Sequence, residues 1–126
     1  MCNTKGIQSM GLQALQKILE DALREGADTV ELEYVDQGLE VYRVFGDIGL
    51  GDVLTDHELI GGIISAVVEE AGLETKPRGK MHIDLLGEQH PIIVEEYENF
   101  GESSFRLMIL NEPNRGVLRH AKLDER

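Results

Sequence analysis

His82-Ile83-Asp84 sets a histidine and a carboxylate two residues apart. Residues two apart on a strand share a face, so this spacing sets an imidazole beside a carboxylate. His90 follows shortly after, and His57 stands upstream. A zinc or iron site needs three or four such groups converging on one point. The segments Lys80–Leu86 and Gln89–Tyr97 read as a hairpin around Gly87-Glu88. With Leu86 opposite Gln89, the register sends His90 to the face away from His82 and Asp84. The expectation is a half-exposed polar strand face at His82 and Asp84. His90, opposite Leu85, becomes a core-edge histidine, and no metal or cofactor is expected.

Nucleotide and hydrolytic chemistry fare similarly. Gly79-Lys80 is followed by Met81 where a phosphate loop needs a hydroxyl for magnesium, and Gly72 lies too far upstream to close that loop. Gly49-Leu50-Gly51 opens no helix and so is no dinucleotide fingerprint. Ser103-Ser104 lacks the Gly-x-Ser-x-Gly elbow of a serine hydrolase. The carboxylates Glu95, Glu96 and Glu98 are abundant but have no sequence partner that would tune them for acid–base work. Basic residues are scarce in the body. Lys76, Pro77, Arg78, Gly79 and Lys80 therefore form the one dense basic loop, suited either to an anionic partner patch or simply to solvent.

The elements that must position these residues follow from periodicity. Leu12, Leu15, Ile18, Leu19, Ala22 and Leu23 form one apolar stripe at helical spacing, closed by Gly26. Thr29–Val35 and Leu39–Phe45 alternate on either side of Asp36-Gln37-Gly38, a hairpin. Pairing Val35 with Leu39 sets Glu31 against Arg43 and gathers Val30, Leu32 and Tyr34 with Tyr42 and Val44. Gly46–Asp52 reads as a glycine-rich connection. Thr55-Asp56-His57-Glu58 is a capping box opening a helix over residues 56–71, which Gly72 ends. Gly61-Gly62 weakens that helix and permits close packing on the sheet. In the second hairpin Met81, Ile83 and Leu85 lie opposite Val94, Ile92 and His90, and Ser104–Leu110 is a last, interior strand. The order is α-β-β-α-β-β-β, an α+β fold with two helices on one face of a mostly antiparallel five-stranded sheet. Residues 1–11 are expected to be poorly ordered, 12–110 to form the domain, and 111–126 to be a charged tail.

Composition narrows the function classes. The 126 residues suit one domain, and a chain of this size needs no staple. The single cysteine, Cys2, excludes an internal disulfide and points to a reducing cytoplasm. No apolar run reaches a membrane span, and residues 1–11 lack a signal-peptide pattern. Residues 12–110 carry 21 acidic and 7 basic side chains, against 3 and 4 in residues 111–126. Such a body repels phosphate backbones, so nucleic acid is not an expected partner.

Three stretches carry a family resemblance. Gly26, Ala27, Val30, Leu32 and Glu33 fit one motif, Arg43, Val44 and Gly46 a second, and Gly101, Glu102, Ser103, Arg106 and Leu107 a third. In this order and spacing the chain resembles the N-terminal, PAS-like domain of type II secretion and type IV pilus assembly and retraction ATPases. The family's Ser-Asp is Asp28-Thr29 here, its histidine is Glu31 and its turn aspartate is Phe45. No arginine stands in Val94–Tyr97, where that family places one, which removes the support its arginines give to nucleotide binding in the neighbouring domain. The family's Walker A, Walker B, histidine and aspartate boxes have no counterpart among these residues. The resemblance thus implies a non-enzymatic protein-interaction or regulatory domain. Its partner would be a secretion or pilus-type ATPase or a second copy; Lys76, Arg78 and Lys80, read from their clustering alone, are the candidate interaction loop. The alternative it implies is a PAS-like small-molecule sensor, and a small enzyme using His82, Asp84 or His90 stands third.

Overall fold

A computed structural model of the chain describes residues 3–99 and 101–110. Its elements run α1 (Asn3–Glu25), β1 (Thr29–Val35), β2 (Gly38–Phe45), β3 (Ile48–Leu54), α2 (His57–Ala71), β4 (Arg78–Leu85), β5 (Glu88–Asn99) and β6 (Glu102–Ile109). The strands form one antiparallel sheet in the order β3-β2-β1-β6-β5-β4. The fold is α+β with two helices, as expected, but the sheet has six strands rather than five. The Gly46–Asp52 connection is in fact a hairpin loop at Gly46-Asp47 followed by the edge strand β3. Cys2 and the expected tail at 111–126 lie outside the described residues.

Burial alternates along every inner strand. Val30 and Leu32, Leu39 and Val41, Met81, Ile83 and Leu85, Ile92 and Val94, and Phe105, Leu107 and Ile109 are all buried. These positions share one face of the sheet, and the helices seal it with Leu15, Leu19, Ala22, Ile63 and Val67. Among the described residues no helix lies over the opposite face.

Both hairpin registers differ from expectation. In the first, Val35 pairs with Gly38, so Glu31 faces Tyr42 and Val30 faces Arg43. This slip by one residue puts Leu39 and Val41 in the core in place of Tyr42 and Val44. Gly38 allows it, because a Cβ there would stand 1.9 Å from the Leu54 carbonyl oxygen. In the second hairpin Leu85 pairs with Glu88, Ile83 with His90 and Met81 with Ile92. That slip by two residues leaves the faces unchanged. The loop is Leu86-Gly87, with φ of 55° and 87°, the paired positive values of a type I′ turn.

The helices differ at their starts. α1 begins at Asn3, well before the apolar stripe. This extension crosses α2 with backbones in contact: a Cβ on Gly11 would lie 2.2 Å from the Gly62 carbonyl oxygen. Gly62 therefore serves the approach of α1, not packing on the sheet. The N-cap of α2 is Asp56 rather than Thr55, its carboxylate accepting from the amides of Glu58 at 3.0 Å and Leu59 at 3.2 Å. Among the described residues no helix is long and apolar enough to cross a membrane.

Candidate functional site

Three surface regions carry side chains able to act on a partner. The open face of the sheet carries a charged ladder. Arg78 pairs with Glu95, and Arg106 Nη1 lies 3.6 Å from the same carboxylate. Arg106 Nε donates to Glu31 Oε2 at 3.1 Å, and its guanidinium sits 5.4 Å from the centre of the Tyr97 ring. Tyr97 in turn donates to Glu33 at 3.4 Å. Four strands, β4, β5, β6 and β1, are thereby linked by alternating charge, the cross-strand pairing that stabilises sheets. Burial, then the charges of Glu31 and Glu33, hold the Tyr97 phenol above the ordinary tyrosine range. Burial followed by Glu102 does the same for Tyr34.

The expected basic loop resolves into parts with different roles. Lys76 is exposed in the turn before β4, whereas Arg78 and Lys80 are strand residues on the open face. Arg78 is committed to Glu95, so the three do not form one free cationic loop. Ser103 donates to Glu96 at 2.8 Å and Ser104 is buried. His82 and Asp84 share the exposed face, with Gln89 Nε2 donating to Asp84 Oδ1 at 2.9 Å. His90 faces the core, opposite Ile83 rather than Leu85, with Nδ1 3.1 Å from the Leu110 carbonyl oxygen. Among the described residues no three His, Cys, Asp or Glu side chains come together as a metal would require.

The second region is the β4 edge. A cleft of about 230 Å³ lies there, lined by Leu12 and Gln16 of α1, Glu70 of α2, and His82 and Asp84. It is smaller than the roughly 300–1,000 Å³ of ordinary ligand pockets. The cleft is also crossed by hydrogen bonds from the helix. Gln16 Nε2 donates to the Asp84 carbonyl at 2.7 Å, and Glu20 Oε2 accepts from the Leu86 amide at 2.9 Å.

The third region, which sequence reasoning missed, is the β3 edge. Ile48 is 63% exposed, Leu50 51% and Val53 45%, with Tyr42 of β2 beside them at 37%. The glycines of β3 are the seat for that ring: a Cβ on Gly49 would lie 2.3 Å from Tyr42 Cε2, and one on Gly51 2.9 Å from Cδ1. Beneath them Arg43 is mostly buried and answers two carboxylates. Its Nη1 donates to Asp52 at 3.1 Å. Its Nε lies 3.1 Å from Glu25 as a charge pair whose N–H is not aimed along the contact. The signal for this strand was present in Gly46-Asp47 followed by the alternating Ile48, Leu50, Asp52 and Leu54.

No protein-family model matches this chain, and no curated protein matches it.

Proposed function

We propose that this chain is a non-enzymatic protein-interaction or regulatory domain, of the kind found at the N-terminus of secretion and pilus ATPases, working in the cytoplasm. The observation that carries this is the grouping of Tyr42, Ile48, Leu50 and Val53 at one end of a strongly acidic domain. Single exposed apolar residues are ordinary, but several together at one sheet edge are the usual mark of a contact surface. The resembling stretches add support from their placement. Gly26 closes α1, Arg43 to Gly46 ends β2, and Gly101 to Ser103 turns into β6. These motifs meet on the neighbouring strands β2, β1 and β6.

Crosslinking in native lysate, with the mass of the purified chain measured in solution, tests the reading. A recurrent protein partner, or a defined oligomer, is the expected result. A strictly monomeric chain that reproducibly captures nothing contradicts it.

A further inference from the structure

The β3 edge carries more than exposed apolar groups. Residues flanking a two-residue hairpin loop exchange both backbone hydrogen bonds, which makes Phe45 and Ile48 a bonded pair. Bonded and non-bonded pairs then alternate, so Leu50, Asp52 and Leu54 also bond inward to β2. Gly49, Gly51 and Val53 are left with their N–H and C=O groups directed outward. β3 is last in the sheet, and among the described residues no other segment bonds to this side of it. Two of the three outward residues are glycines, so they place no side chain of their own where a second strand would approach, and the Tyr42 ring lies across them on one face of the sheet.

Charge selects the occupant. Residues 36–58 hold six carboxylates, Asp36, Glu40, Asp47, Asp52, Asp56 and Glu58, against the single cation Arg43. Arg43 is 18% exposed and already shared between Glu25 and Asp52. A second copy would bring this acidic edge against another, between chains that each carry a formal charge of −12. Ile48, Leu50 and Asp52 share one face of β3, so a strand with apolar side chains beside Ile48 and Leu50 and a lysine or arginine beside Asp52 on that same face meets complementary groups instead.

We propose that the β3 edge, through the outward backbone of Gly49, Gly51 and Val53, accepts an extended segment from a partner protein that carries apolar residues and a basic residue on one face. Such addition takes its affinity from main-chain hydrogen bonds and its selectivity from the alternate side chains. The proposal rests on the interaction-domain reading and names its surface and the chemistry of its partner.

The test is amide hydrogen exchange of the full chain with the end-blocked heptapeptide Thr-Val-Lys-Thr-Val-Thr-Val, which matches the seven residues of β3 and, paired antiparallel, sets its lysine beside Asp52 and its last two valines beside Leu50 and Ile48. At ten times its dissociation constant the peptide slows exchange at Gly49, Gly51 and Val53 by about tenfold. Added salt weakens its binding, and the same peptide with glutamate in place of lysine does not bind. Val53→Pro removes one outward donor without touching the bonds to β2, and weakens peptide binding about fivefold or more. Ile48→Glu, at an exposed position, keeps the fold and weakens binding about tenfold or more.

Absence of peptide binding overturns the proposal, as does equal binding of the glutamate peptide. Protection of β3 that grows with protein concentration and needs no peptide assigns the edge to a second copy and overturns the basic partner. Binding that protects other amides sinks the edge assignment alone, since crosslinking in lysate tests the interaction-domain reading separately.

Discussion

The two edges of this sheet meet solvent in opposite ways. At β4, α1 runs alongside and its Gln16 and Glu20 occupy the outward groups of Asp84 and Leu86. Gly79 is pressed under α2, where a Cβ would come within 1.9 Å of the Ala71 carbonyl oxygen. The charged ladder starts there at Arg78 and ends at Glu31 on β1. β3 lies beyond the ladder, with apolar side chains exposed on both faces. A free edge invites association unless helices, charges or bulges blunt it. Among the described residues, a helix covers one edge and only Asp47 and Asp52 guard the other, repelling an acidic strand and attracting a basic one.

Substitution can break that contrast. Gly79→Ala forces a Cβ against backbone and is expected to cost about 3 kcal/mol, read by denaturant unfolding. Gly49→Ala meets only the half-exposed Tyr42 ring, which can swing aside, so its cost should stay near 1 kcal/mol. Equal losses at the two sites would mean that β3 is packed as rigidly as β4. Glu20→Ala should remove about 1 kcal/mol by orphaning the Leu86 amide. The covered edge would then be partly opened, and light scattering should show a greater tendency to associate than in wild type.

Smaller effects sharpen the picture. Leu86 is exposed and left-handed, at φ 55°. Leu86→Asn is therefore expected to stabilise the β4 turn by about 0.5–1 kcal/mol, visible as a higher Tm. The ladder can be probed through Tyr97. Its folded phenol binds its proton more tightly than the unfolded one, whose pKa is the ordinary tyrosine value of about 10. Its contribution is thus intact below pH 10 and is lost as pH rises through the folded value. Tyr97→Phe should flatten the alkaline fall in stability; an unchanged fall would remove Tyr97 from the ladder's account.

Much of the core was legible in the sequence because it is periodic. The stripe from Leu12 to Leu23 and the alternation of Met81, Ile83 and Leu85 name buried residues directly, and even a slip of two residues in the second hairpin preserved its faces. What failed was decided by contacts distant in sequence. Glu31 and Arg43 look like cross-strand partners, but Glu31 bonds Arg106 across β1 and β6, and Arg43 turns to Glu25 and Asp52. Gly49 and Gly51 look like loop residues because the ring they accommodate is on another strand. The candidate site was obscured for the same reason: Lys76, Arg78 and Lys80 draw the eye as charge, whereas the β3 edge offers bare backbone, which has no sequence signature beyond glycine.

Amide exchange in the free, wild-type chain tests the difference between the edges most directly. The account predicts alternation along β3: slow exchange at Leu50 and Asp52, and fast exchange at Gly49, Gly51 and Val53. It also predicts a protected Leu86 amide at the other edge, with that protection lost in Glu20→Ala. Exchange at Gly49, Gly51 and Val53 as slow as at Leu86 would show that the β3 edge is not open, and would contradict the account.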